Sequence, residues 1–232
     1  QKEEKDNIKS YFFSASQLIA EKVLQDNPLY EGYEAQLRKE DGEPLHLLFI
    51  GFGTRNQELA FHALNLGHFL TRRKMRFTIL DQDIKKVKKE WSYLAKNASD
   101  YADITFKEVD VLRESLKPVL SRVETPITHV YFSIRDDFLD TIEGLELLEA
   151  LPQVPIFLRM SEDYKISNWL HNHQGEFRHV KMYATLKDVL NSEYVLNEIQ
   201  TNIAKMAHEN YRKIRVENNL DPGQSWEELG AF

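Results

Sequence analysis

Between Leu45 and Asp83 the chain sets out residue types that could hold a phosphorylated ligand. An apolar run, Leu45-His46-Leu47-Leu48-Phe49-Ile50, passes into Gly51-Phe52-Gly53-Thr54-Arg55-Asn56, and a second run, Phe77 to Leu80, ends in Asp81-Gln82-Asp83. Gly51 permits a tight turn, and Gly53 lets the backbone approach a diphosphate. A helix starting at Thr54 would offer free N–H groups to phosphate oxygens. Phe52 belongs to the same turn, and Arg55 either faces a phosphate or points into solvent. At the end of the second run, the Asp81 carboxylate can accept from both hydroxyls of a ribose, or else cap the helix that follows. Asp83 is the better placed of the two for capping. Two features depart from the usual dinucleotide pattern: Asn56 stands where a third glycine would, and Asp81 comes 30 residues after Gly51, beyond the ordinary spacing of about 20. A long helix end and loop, His68 to Lys74, accounts for the extra length.

Further residues fall at equivalent places downstream. Asp110 follows a third apolar segment, where an acid can meet an adenine amino group or cap a helix near 112. Ser133, Ile134 and Arg135 follow a fourth, where the distal half of a cofactor would lie. Arg135, beside Asp136 and Asp137, is either a phosphate contact or half of an ion pair. Arg159 and Ser161 take the same position after a fifth.

These residues require alternating strands and helices to bring them together. The apolar runs predict strands at 46–50, 76–80, 103–108, 127–133, 154–158 and 180–184, and helices at 55–70, 83–97, 112–121, 137–150, 164–171 and 186–192. Near-continuous apolar strands such as Ile127 to Phe132 belong to a parallel sheet covered on both faces. The fold class is therefore α/β, a doubly wound and mostly parallel six-stranded sheet with its crevice at the strand C-terminal ends. Before it, residues 1–44 form a helical connector, with Leu18, Ile19, Val23 and Leu24 at helical spacing, Ser14 or Ser16 as N-cap and Asn27-Pro28 as stop. The nucleotide-binding domain covers 45–193. Residues 194–232 hold a long helix, striped by Val195, Leu196, Ile199, Ile203, Met206 and Ile214, that breaks at Asn218 to Gly223.

Composition narrows the function further. A formal charge of −7 gives no field for nucleic acid. The basic clusters Arg72 to Arg76 and Lys85 to Lys89 read as solvated faces. The absence of cysteine excludes disulfides and thiolate chemistry and fits a reducing compartment. No apolar run reaches the ~18 residues of a membrane span. A first residue other than Met, and the ending after Trp226-Glu227-Glu228-Leu229-Gly230-Ala231-Phe232, suggest a piece of a longer protein. His62, His68, His129, His171, His173, His179 and His208 fall in no metal spacing, and neither a Gly-x-Ser-x-Gly elbow nor a Gly-Lys-Ser/Thr loop is present. No residue is nominated for catalysis and none for a metal.

On Gly51, Phe52, Gly53 and Asp81, with Ser133 at the crevice position after the fourth strand, residues 45–190 resemble the TrkA-N or RCK (regulator of potassium conductance) family. The resemblance implies a Rossmann-like cytoplasmic domain that binds NAD(H) or another adenine nucleotide, pairs as a homodimer, and gates an attached channel or transporter. The stretch Ile203 to Tyr211, with His208-Glu209-Asn210-Tyr211, and the later Trp226-Glu227-Glu228-Leu229 resemble the opening of a ryanodine-receptor-type (RyR) repeat domain. Together these imply a non-enzymatic nucleotide sensor. Two enzyme readings compete. Gly51-x-Gly53-Thr54, Asp81 and Val109-Asp110 can also mimic the order found in S-adenosylmethionine-dependent methyltransferases, and an NAD-dependent oxidoreductase would use the same turn.

Overall fold

The computed structural model describes residues 14–67, 69, 71, 73–111, 113–123, 125–134, 137–159, 168–170, 172–173, 175–183 and 185–190, and further on 208, 212–213, 215–217 and 221–228. The chain divides into two compact units, Gln1–Leu186 and Lys187–Phe232.

In the first unit, six parallel strands make one sheet: β1 (His46–Ile50), β2 (Met75–Asp81), β3 (Ala102–Glu108), β4 (His129–Phe132), β5 (Ile156–Leu158) and β6 (Val180–Met182). Their order is β3-β2-β1-β4-β5-β6, the Rossmann-like arrangement of a doubly wound sheet. All five residues of β1 are buried, as expected of a central strand covered on both faces. Ile50 is in register with Leu80 on one side and Phe132 on the other. The three strand ends that must shape a crevice are therefore level.

The two faces are chemically distinct. Leu48, Ile50, Leu80, Val130, Phe132, Ile156 and Leu158 form a mainly aliphatic core with Leu147, which lies on α7 (Asp137–Ala150). The opposite face is an aromatic ladder. Phe49 stacks on Tyr131 at 5.4 Å, Tyr131 on Phe157 at 4.8 Å, and Phe77 meets Phe49 edge-on at 5.4 Å. Each such ring, fully buried, contributes roughly 1.5–3 kcal/mol. Helices α3 (Thr54–Leu66) and α4 (Ile84–Leu94) follow β1 and β2. Helix α1 (Ala15–Asp26) packs on α3 through a stripe of Ile19, Ala20, Val23 and Leu24. Ser14 caps α1, and Asn27 closes it by donating to the Val23 carbonyl. The described part of the N-terminal segment thus belongs to the same unit as the sheet.

Several expected elements are shorter than the periodicity suggests. The helix expected over 112–121 is confined to α6 (Lys117–Leu120). Upstream, the Asp110 carbonyl accepts from the N–H groups of both Arg113 and Glu114, and Glu114 returns a bond to the Asp110 N–H. That closed turn occupies the residues that would have begun the helix. Pro118 then falls in the first turn of α6, where a missing N–H costs nothing. The helix expected to reach 97 ends at Leu94, and a separate turn, α5 (Ala98–Tyr101), leads into β3. Two further short helices are α2 (Glu34–Leu37) and α8 (Leu186–Val189). Residues 168–170 are helical, and the rest of the expected 164–171 helix lies outside the described residues.

In the second unit, residues 212–213 and 215–217 are helical. The following turn is held by Arg215, which donates to the Asp221 carbonyl, and by Asp221, which accepts from the Gly223 N–H at 3.0 Å. The chain doubles back so that Trp226 meets the His208 ring edge-on at 5.7 Å, while His208 Nε2 lies 3.0 Å from the Gln224 carbonyl. Tyr211 lies outside the described residues.

One buried imidazole makes the first unit sensitive to acid. His129 lies parallel to Tyr131 and Phe157, and burial pushes its pKa down from 6.5 to about 3. Between these values the unfolded chain binds a proton that the folded chain does not, so stability falls as pH drops below about 6.5. Urea unfolding of the wild type and His129→Phe, between about pH 5 and 7.5, should give a wild-type slope steeper by up to about 1.4 kcal/mol per pH unit below pH 6. Equal slopes would show that this imidazole is not held neutral by the fold.

Candidate functional site

The site begins where β1 ends. Gly51 adopts φ +73° and donates its N–H to the Leu80 carbonyl at 2.8 Å. A Cβ here would lie 2.6 Å from the Ser133 carbonyl oxygen, so both the backbone angle and the neighbouring strand end demand glycine. Phe52 turns its ring inward, fully buried, against Phe49 and Trp91. Its N–H donates to Asp81 Oδ2 at 2.6 Å. Gly53 is the N-cap of α3, and a Cβ there would meet nothing within 4 Å. Beyond it the first N–H groups of α3 have no partner within the helix.

Asn56 explains why a third glycine is dispensable. It is fully buried. Its amide nitrogen donates to the Gly51 carbonyl at 2.6 Å and the Tyr131 carbonyl at 3.2 Å, and its oxygen accepts from the Tyr183 hydroxyl at 2.5 Å. Burial raises the Tyr183 pKa well above its usual value, which keeps that hydroxyl a donor. Gln57 does the same for the next carbonyl: its amide donates to the Phe52 oxygen at 2.9 Å and to Glu90 at 3.1 Å. Two amides in the first turn of α3 thus satisfy both inward carbonyls of the glycine turn. The sequence carried one sign of this. Asn56 lies three, four and seven residues before Leu59, Ala60 and Ala63, so a polar residue sits on the buried stripe of α3.

Carboxylates complete the rim. Asp81 Oδ1 accepts from the Asp83 N–H at 2.9 Å while Oδ2 holds Phe52. Asp83 in turn caps α4 by accepting from the Lys86 N–H at 3.1 Å. A carboxylate has about four acceptor positions, so Asp81 retains capacity toward the open side. Beyond β4, the Ile134 N–H is held by Asp140, a fully buried residue of α7, at 3.1 Å. Arg159 donates to the Ile134 carbonyl at 3.1 Å, and its buried Nε has no hydrogen-bond partner among the described residues.

These groups enclose a cavity of about 730 Å³ at the C-terminal ends of β1, β2 and β4, a size suited to a nucleotide or similar ligand. Gly53, Thr54, Arg55, Asp81, Asp110 and Ser133 all line it, together with Ser16 of α1, Lys86 of α4 and Arg159. Gly51 and Phe52 stand behind the wall. Asp110 also faces Arg113 at 3.4 Å. Arg135 and Ser161 lie outside the described residues. In the first basic cluster, Arg73 pairs with Glu43 and Lys74 donates to the Ser99 carbonyl at 2.8 Å, while Lys86 of the second lines the cavity. Among the described residues no group of three His, Asp or Glu side chains could hold a metal ion, and no helix is long and apolar enough to cross a membrane.

Fold and crevice together define a Rossmann-like α/β unit with a ligand-sized cavity at its topological switch point. No family model, curated protein or solved structure matches the chain.

The two glycines are separable by stability. Gly51→Ala should lower stability by at least about 2 kcal/mol, through the left-handed backbone and the contact with Ser133. Gly53→Ala should change it by less than about 0.5 kcal/mol, since its Cβ enters open space. Asn56→Ala removes three buried hydrogen bonds, to the Gly51 and Tyr131 carbonyls and from the Tyr183 hydroxyl, and should cost about 2–4 kcal/mol, or roughly 5–15 °C in Tm. Thermal and urea unfolding check all three. Equal effects at Gly51 and Gly53 would contradict the assigned turn.

Proposed function

We propose that the crevice binds an adenine nucleotide of the NAD type and that the chain is a nucleotide-sensing regulatory domain. The observation that carries this reading is the joint lining of one cavity by the start of α3 and by Asp81. The helix start supplies backbone N–H groups and the positive end of a dipole for a phosphate. The remaining acceptor positions of Asp81 suit the vicinal hydroxyls of a ribose, and its charge opposes a 2′-phosphate, favouring NAD over NADP. Across the switch point, Ser133 and the guanidinium of Arg159 suit a second polar or anionic group of the same ligand.

Most of the turn's own hydrogen bonds are already made without a ligand, by Asn56, Gln57 and Asp81. Such a preorganised site loses little on binding. Its output is a change in a second equilibrium, and the ligand acts only through its different affinities for the two states. On the resemblance to TrkA-N and RCK domains, we assign that equilibrium to paired subunits that regulate a channel or transporter on the cytoplasmic side.

A thermal-shift comparison of the wild type and Gly53→Ala against NAD, NADH, NADP, AMP, ADP, ATP and S-adenosylmethionine tests the binding reading. At 100 times its dissociation constant, a ligand adds about 2.7 kcal/mol, or roughly 5–10 °C in Tm. The expected result is a shift with an adenine nucleotide that Gly53→Ala reduces while leaving the unliganded Tm in place. A shift with S-adenosylmethionine alone would replace the sensor by the methyltransferase reading. No shift with any of these ligands would overturn the proposal.

A further inference from the structure

A second cavity, of about 390 Å³, lies toward the N-terminal ends of β1 and β2 and along the same face of β3. Its position follows from the register. His46 pairs with Arg76, Arg76 with Asp103, Thr78 with Thr105, and Leu80 with Lys107. Residues paired in this way project to the same face of a parallel sheet. That is the face which β4 and β5 fill with apolar side chains, yet over β3 and the Arg76–Thr78 part of β2 it is polar. The reduction of the expected 112–121 helix to Lys117–Leu120 accompanies this opening, and the chain after α6 adds Arg122 and Thr125 to the rim.

The lining has an unusual charge for a chain of net −7. Arg76, Lys107 and Arg122 face it against one carboxylate, Asp103. Arg76 reaches Glu43 only at 3.7 Å. Among the described residues, Lys107 and Arg122 have no carboxylate within ion-pair distance. Hydroxyl donors are already positioned beside these cations. Buried His46 brackets two of them, with Nε2 at 2.9 Å from Thr78 Oγ1 and Nδ1 at 2.8 Å from Thr125 Oγ1. Burial lowers the His46 pKa, and the positive charges of Arg76 and Lys107 add to the effect. Both cations therefore act on the volume beside the ring. Convergent cations and hydroxyls in a concave polar site are the chemistry that recognises a tetrahedral oxyanion.

We propose that this cavity is a second ligand site, separate from the nucleotide crevice, that takes a phosphate group, either as inorganic phosphate or as the phosphoryl end of a small phosphomonoester. Arg76, Lys107 and Arg122 supply the charge; Thr105, and whichever of Thr78 and Thr125 accepts from the single N–H of neutral His46, supply the hydroxyl donors. The crevice residues Gly53, Asp81 and Ser133 take no part in it.

Amide chemical shifts of the 232-residue chain, followed during titration with inorganic phosphate and, separately, with glycerol phosphate at constant ionic strength set by chloride, test this. The expected result is saturable shifts at Thr78, Thr105 and Lys107 that persist in Gly53→Ala. Lys107→Gln with Arg122→Gln should weaken binding at least about tenfold, in line with the loss of two charge-assisted contacts. Either single variant serves if the double one fails to fold. Tighter binding of glycerol phosphate identifies a phosphomonoester as the ligand, and equal binding identifies the free anion. Shifts that do not saturate, that chloride reproduces, that are confined to Gly53, Thr54 and Arg55, or that survive removal of Lys107 and Arg122 would overturn the proposal.

Discussion

The crevice depends on one charge-assisted pair of hydrogen bonds. The Asp81 carboxylate accepts from Phe52 in the glycine turn and from Asp83 at the head of α4. It therefore links the ends of β1 and β2 and fixes the starts of α3 and α4 relative to each other. Bonds of this kind are about twice as strong as neutral ones. Without this one, the Phe52 N–H would stand unpaired above a fully buried ring. The position of the first free N–H groups of α3 is a consequence of the same bond, so any anion site there begins with Asp81.

Around this bond the structure uses side-chain amides where many such turns rely on close backbone packing. Asn56 and Gln57 satisfy the carbonyls of Gly51 and Phe52, and Tyr183 reaches from beyond β6 to hold Asn56. Asp140 does the equivalent work for Ile134 beyond β4. The crevice floor is thus tied to α3, α7 and the far edge of the sheet. Buried amides bonded in this way stiffen their surroundings.

Much of this was legible in the residues, for identifiable reasons. The strands stood out because buried parallel strands are continuous apolar runs, and β1 was expected at its observed limits. Asp83 as the cap of α4 followed from its place just ahead of the apolar stripe of Ile84, Val87 and Trp91. Elements governed by local competition were harder to read. The segment 112–121 has helical spacing, but it forms only one closed turn at Asp110 to Glu114 and the short α6. Six of the nine candidate site residues, Gly53, Thr54, Arg55, Asp81, Asp110 and Ser133, do line one cavity. The engagement of Asp81 with the turn could not be read, since nothing in a linear pattern distinguishes a carboxylate facing a ligand from one facing a backbone N–H. Asn56 looked like a defect in a motif because its partners, Tyr131 and Tyr183, are 75 and 127 residues away.

Amide hydrogen exchange at single-residue resolution, in the free chain and with NAD added, tests this account most directly. In the free chain the Phe52 amide should be strongly protected, because it is buried and donated to Asp81, and Asp81→Asn should weaken that protection. NAD should then protect the amides of Gly53, Thr54 and Arg55 while leaving that of Phe52 as it was. A Phe52 amide that exchanges freely in the ligand-free chain, or NAD-dependent protection that avoids the start of α3, would contradict it.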